Sequence, residues 1–389
     1  MKASQSFPWV SQNTCTVLSL LCLLVNSQQI PDRTSLINYE LEQLLVDTGG
    51  INDRTFKSAI TPCSNYADHG GPVNDNTKGL QTSAQWIRVA FHDFNTANVH
   101  SGEGGMDASI GFETLRPTNA GPAFNDSLFF FQSFVSDMVS MADLIALGAV
   151  MGIGSCGGPY VPLRGGRIDA TEAGPLAHCD PDTPLPGIFH TFHMTGMSNK
   201  EAIELTACGH TMGGVHKNVF PQIGTDAEHQ VTESVDLTNN SDGRVTFDDS
   251  VDVFDPHTIQ EYLAWRGKKG GPMVTTSNKI NRNDLRLYTS DRNSTVKELA
   301  RSKEAFSSAC SRVIYKMLNV GCCRITHLCK LTYAQTVPRG VELTPDIEPY
   351  QVKPINITLN IDWKGDMEIG GYIRYLNKAG TKPAPADLL

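Results

Sequence analysis

Arg88 and His92 stand four residues apart in the run Arg88-Val-Ala-Phe91-His92-Asp93. On a helix that spacing puts both side chains on one face, converging on one point. A fixed cation beside a near-neutral base suits cleavage of a polar bond such as O–O. The base moves a proton from one oxygen to the other while the cation stabilises the negative charge that develops. Six residues alone fit an incidental Arg/His pair equally well, but their neighbours weigh against it. Asp93 is followed by Gly104-Gly105-Met-Asp107-Ala-Ser109, which offers two carboxylates, a hydroxyl and loop carbonyls, the hard oxygen donors that Ca²⁺ takes.

A second histidine, His210, closes a helical stretch in Ala207-Cys-Gly-His210-Thr211. Downstream of Thr211 comes Asp248-Asp249-Ser250-Val-Asp252-Val253-Phe-Asp255, again carboxylates, a hydroxyl and a carbonyl at alternating positions. A polar loop is usually a solvated loop, and a lone histidine is more often structural than a ligand. Two oxygen-donor sets, each starting at the residue directly after a histidine, are hard to explain by chance.

Helices must position these groups. Apolar spacing predicts them over about Ile37–Asp47, Gly79–Phe94, Leu128–Val150, Asn199–Cys208 and Val296–Leu318, with Ser198 and Glu201 forming a capping-box pattern. Gly/Pro/Asp-rich segments separate them, so the chain reads as mainly α with elaborate loops. From about residue 340 the pattern changes: Ile355, Ile357, Leu359, Ile361 and Trp363 alternate with polar residues, Gly365-Asp366 follows, and a second run leads to Tyr375. That predicts a small β extension over 341–389.

The chain has 389 residues, enough for one large domain or two ordinary ones, and a net charge of −9, which argues against binding nucleic acid through its phosphates. Lys2 followed by the apolar run Val17–Val25, with Ser27 suiting cleavage before Gln28, reads as a secretory signal over residues 1–27. Nine apolar residues do not span a bilayer. The expectation is an exported chain without a membrane anchor after signal removal. Two of the ten cysteines, Cys15 and Cys22, leave with that segment, and an even set of eight remains, as in a disulfide framework whose pairing the sequence leaves open. Asn125, Asn239, Asn293 and Asn356 head possible glycosylation sequons.

Taken together, these residues resemble the secreted haem peroxidases of the plant, fungal and bacterial superfamily, most closely the fungal ones, over about residues 37–325. The resemblance implies a two-lobed, all-helical haem peroxidase domain over 28–340. Its distal lobe would cover about 37–160 and its proximal lobe about 161–325, with one haem b between them and two Ca²⁺. Residue by residue it implies Arg88 and His92 as the distal pair and Phe91 as the distal aromatic. It also implies Asn119, in Glu113-Thr-Leu-Arg-Pro-Thr-Asn119, as the partner that holds His92 as a base, with Glu113 counted among the catalytic residues beside it. His210 would be the iron ligand and Asp291, in Leu287-Tyr-Thr-Ser-Asp291, the acceptor of its N–H. Asp93, Gly105, Asp107 and Ser109 would hold the distal Ca²⁺; Thr211, Asp248, Ser250, Val253 and Asp255 the proximal one. Cys63 with Cys156 resembles one family disulfide, while Cys208 is left between a buried thiol and a partner of Cys179. His193, His216 and His229 show no partner pattern and read as surface or structural residues.

Departures bear on substrate. Leu205 stands five residues before His210, where relatives that oxidise bulky aromatics at their surface carry Trp, and Phe91 stands where cytochrome c peroxidases carry Trp. No Glu pair at i,i+4 marks a manganese site; Glu40 and Glu42 are two apart. The resemblance therefore implies a generic, monomeric, extracellular peroxidase using H₂O₂ to oxidise small phenolic reductants by one-electron steps. The alternative is a non-catalytic cell-wall binding protein that keeps the fold. A catalase-peroxidase needs a longer chain and a distal Trp that Phe91 replaces.

Overall fold

The computed structural model describes residues 37, 40, 41, 44, 56–66, 80–177, 180–216, 219–224 and 244–321. The expected signal segment, Cys179, Cys322, Cys323, Cys329, Asn239, Asn356, His229 and the expected β extension lie outside these residues. Among the described residues the longer helices are α1 (Thr82–Phe94), α2 (Ala123–Gln132), α3 (Met141–Ser155), α4 (Leu185–Met194), α5 (Asn199–Gly209), α6 (His257–Ala264), α7 (Asn283–Ser290), α8 (Ser294–Leu299) and α9 (Lys303–Leu318). The sheet is one antiparallel pair, β1 (Gly214–His216) with β2 (Arg244–Thr246), in the register His216 opposite Arg244. Ile37, Glu40, Leu41 and Leu44 are helical, with Ile37 and Leu41 buried, as their spacing requires.

α1 begins at Thr82, three residues later than its apolar spacing predicts, because Gln81 is extended. It buries Trp86, Val89, Ala90 and Phe94 in the core and turns Arg88, Phe91 and His92 towards a cavity. α3 is apolar on every side, and almost all of it is buried, as an interior helix must be. Gly148 lets it approach: a Cβ there would stand 2.6 Å from Phe131 and 3.2 Å from Trp86. Phe56 stacks on Phe131 at 5.5 Å and leans on Trp86 at 5.0 Å, so one aromatic cluster fixes α1, α2 and α3 together. Cutting such a ring to Ala costs about 3–5 kcal/mol.

Two predicted helices are each two helices. The single helix expected over Leu128–Val150 breaks at 133–140, where Ser136 Oγ accepts the N–H groups of Met138 and Val139 and Ser140 caps α3 through Asp143 N–H at 3.1 Å. That over Val296–Leu318 breaks where Ser302 caps α9 through Ala305 N–H, also at 3.1 Å. Short serine side chains compete for backbone hydrogen bonds, and here they restart the helix rather than continue it. The capping box of α5 forms as its sequence predicts, with Ser198 and Glu201 satisfying each other's backbone.

Two disulfides join distant parts of the chain. Cys63–Cys156 is the pair the resemblance implies. Cys208 bonds Cys310, not Cys179, and so ties α5 to α9. Ion pairs run beside that bond, from Arg312 to Glu204 at 2.7 Å and from Lys316 to Glu201 at 2.8 Å. After α9 the chain reaches the acidic loop: Val320 C=O accepts Met106 N–H at 2.9 Å, and Gly321 packs on Gly104 and Gly105. None of the described helices is long and apolar enough to cross a membrane.

Candidate active site between two histidines

A cavity of about 510 Å³ lies between α1 and α5. Its walls include the apolar side chains Ile87, Phe91, Phe192, Leu205, Met212 and Phe247, with His92 and Arg88 on one side and His210 on the other. Size and apolar lining suit a flat organic cofactor.

On the α1 side, His92 Nδ1 lies 2.7 Å from Asn119 Oδ1, and Asn119 Nδ2 donates to Glu113 C=O at 2.9 Å. Because the amide nitrogen is committed to that carbonyl, Oδ1 faces the imidazole and Nδ1 carries the proton. Nε2 is then a lone pair with no partner among the described residues. Burial first, and Arg88 second, push the His92 pKa down to about 3. It is a neutral base. Arg88 keeps its charge, its pKa lowered by burial only to about 10. Its guanidinium donates to Ala120 C=O at 3.1 Å and lies 4.7 Å from the Phe124 ring, which also packs edge-on against His92. The segment 117–120, a short 3₁₀ turn started by Pro117, thus orients both members of the pair.

Glu113 joins this arrangement through its main chain. Its carboxylate, expected among the catalytic groups, pairs with Arg116 at 2.6 Å and accepts Gly174 N–H at 2.7 Å.

On the α5 side, His210 caps the helix and its Nδ1 lies 2.7 Å from Asp284 Oδ2. Asp284 is fully buried in the first turn of α7, where the helix N-terminus favours a carboxylate. Asp291 does not meet His210. Two turns further along α7, it accepts Ser294 N–H at 3.0 Å and Thr295 N–H at 2.9 Å and starts α8. Beneath His210 the ring of Phe247 stacks at 4.4 Å and 7°. The β1–β2 pair puts Phe247 there. Gly214 allows it, since a Cβ at that position would collide with Val245 C=O.

The oxygen-donor sets also come together. Asp93 and Asp107 are both buried, and Asp93 is raised well above the usual carboxylate range, by burial first and by Asp107 second. Asp93 accepts Ala108 N–H at 2.9 Å and Ile110 N–H at 3.1 Å; Gly105 C=O accepts Asp107 N–H, and Ser109 is buried beside them. In the second set Ser250 Oγ lies 3.4 Å from Asp248 and 3.3 Å from Asp255, and Thr211 Oγ1 bonds the Asp255 main chain. Val253 brings only its main chain, with N–H on Ser250 C=O and the side chain exposed. Burial pushes Asp248 up to about 6, with Asp255 adding to it. Adjacent buried carboxylates that repel one another fit a bound cation. Thr258 Oγ1 bridges this set to His210, lying 2.5 Å from Asp248 and 3.0 Å from His210 C=O.

Sequence reasoning missed Asp284, Phe247, Phe124 and His216. His216, read from the sequence as surface or structural, is half-buried and lines the cavity from the end of β1, where burial, then Arg244 and Arg88, lower its pKa to about 4. Leu205 is buried in the same wall, so the position five before His210 faces the cavity and not solvent.

The geometry agrees with what the chain is similar to. A family model described as Peroxidase matches residues 73–302. A WSC domain-containing protein of Arthroderma benhamiae is 38% identical over 334 residues, covering 84% of this chain and 40% of that protein. Putative L-ascorbate peroxidase 6 of Arabidopsis thaliana is 31% identical over 141 residues, 35% of this chain and 42% of its own length. A mitochondrial cytochrome c peroxidase of Cryptococcus neoformans var. neoformans is 30% identical over 146 residues, 34% of this chain and 36% of its own. The chain thus spans less than half the length of each of these relatives.

Proposed function

The chain belongs to the peroxidase family, in the plant, fungal and bacterial haem peroxidase superfamily, and from that premise we propose that it is a working peroxidase, reducing H₂O₂ and oxidising small phenolic molecules by one-electron steps. The observation that carries this reading is the pair of oriented imidazoles across one apolar cavity, His92 held by Asn119 and His210 held by Asp284. The family implies haem, and this donor set fits it: His210 Nδ1–H is given to Asp284, so Nε2 is the atom left for iron. Haem bound there would supply the redox chemistry.

The chain's own residues do the rest. His92 Nε2 takes a proton from the near oxygen of peroxide and delivers it to the far one, as a base kept neutral by burial. Arg88, charged and pinned by Ala120 C=O, stabilises the negative charge that develops on the far oxygen before the proton from His92 turns it into water. Asp284, by accepting the His210 proton, makes the imidazole a stronger donor. Two Ca²⁺ would sit in the sets that start at Asp93 and Thr211, each one residue from a histidine of the site. We also propose an exported, monomeric protein in which the Cys63–Cys156 and Cys208–Cys310 bonds persist.

The test is an absorption spectrum of the haem-loaded protein before and after one equivalent of H₂O₂, then after a phenol. A Soret band that shifts with peroxide and returns with the phenol supports the proposal; bound haem that ignores peroxide overturns it. A second reading, favoured by the similarity to a protein named for its WSC domain and not for a reaction, is a binding protein on the same fold. It expects no response to peroxide.

A further inference from the structure

A third donor set lies outside the cavity, on the far side of the 248–255 loop. His257 opens α6 and Glu261 lies one turn on, so they share a face, with His257 Nε2 2.9 Å from Glu261 Oε1. Asp249 arrives from the loop, and one donor atom from each of the three lies within 4.8 Å of the others. Glu261 is buried at 2% exposure, although its two neighbours reach solvent. Its second oxygen accepts Lys268 N–H at 2.7 Å. Gly267, at φ 56°, folds the turn over that carboxylate so closely that any Cβ would collide with it. The backbone therefore pins one oxygen and leaves the other aimed at the imidazole. A ligating carboxylate is oriented in just this manner by the groups behind it.

Burial and the approach of Asp249 raise the Glu261 carboxyl above its usual range, so the two acids meet at a cost that a cation would remove. Lys268 stands near them, its ammonium 3.7 Å from Asp249. We propose that Asp249, His257 and Glu261 form a site for a borderline divalent cation, best fitted by Zn²⁺, with water completing the coordination. One imidazole and two carboxylates suit zinc and disfavour calcium, which takes oxygen alone. Zinc donors at about 2.1 Å stand roughly 3.4 Å apart in a tetrahedron. The half-exposed Asp249 closes the remaining gap by rotating inwards, releasing Lys268. Such an ion would clip α6 to the outer side of the loop whose inner side carries Asp248, Ser250 and Asp255.

The experiment titrates the full chain, saturated with Ca²⁺, with ZnCl₂ by calorimetry, with metal analysis after dialysis. One equivalent of zinc is expected at this site. Binding should weaken at least roughly tenfold in His257→Ala and in Asp249→Asn, and tighten in Lys268→Gln. Asp249 is exposed, so its replacement leaves the fold intact and keeps the test decisive where His257→Ala unfolds. No stoichiometric zinc, or zinc bound equally well by both variants, overturns the proposal and leaves His257–Glu261 as a helix ion pair. Calcium displacing the zinc at equal concentration would overturn the choice of ion class.

Discussion

The two sides of the cavity are built in different ways. On the α1 side, the reactive pair comes from one helix and one spacing, Arg88 and His92, with Phe91 between them. On the α5 side, His210 is served by Asp284, 74 residues away, and by Phe247 from a two-stranded sheet. One side is written in helical periodicity, the other in tertiary packing. Local spacing can be read from a chain; a contact between the end of one helix and the start of another cannot.

Removing the base should have the largest effect. His92→Leu is expected to keep the cofactor and slow the reaction with peroxide by about 10²–10⁴-fold, measured by stopped flow. A wild-type rate in that variant would break the assignment of the α1 side. Asp284→Asn should come next. Loss of the carboxylate behind the iron ligand is expected to cost about 10–100-fold in activity and to raise the reduction potential measured by spectroelectrochemistry. Asp291→Ala sharpens the comparison, because it should leave the potential alone and lower stability by about 1 kcal/mol through the lost cap of α8, read from urea unfolding.

The His216 effect is confined to stability at low pH. Its folded pKa of about 4 lies below the unfolded 6.5. The unfolded chain therefore binds the extra proton first, so stability is lost as pH falls through 6.5 and levels off near pH 4. In cofactor-free protein, urea midpoints measured between pH 7 and pH 4 should fall less in His216→Gln than in the wild type. Equal slopes would place His216 in water.

The same contrast explains what the sequence could foretell. Mainly α architecture, α1, the capping box of α5 and both acidic loops follow from periodicity and from donor types. The Cys63–Cys156 bond followed from the family resemblance. The resemblance pointed to Asp291, at the end of α7, while Asp284 lies two turns, about 10 Å, back in its first turn, and nothing local marks the one that faces His210. Only the packing of α7 on α5 decides between them. The serines that split two long helices were visible, but an apolar run outweighs a cap until the cap's own hydrogen bonds are seen. Cys208 found Cys310 because α5 and α9 lie side by side, which no cysteine spacing encodes.

The contact of Val320 and Gly321 with the 104–106 loop sets where the chain can be cut. A shortened protein ending with α9 at Leu318 would leave the Met106 amide without its acceptor and uncover the loop on which Asp107 stands. The shortest version that keeps the loop covered runs to Gly321. A tag or fused partner joined at that point would start beside the 104–106 loop that leads to Asp107.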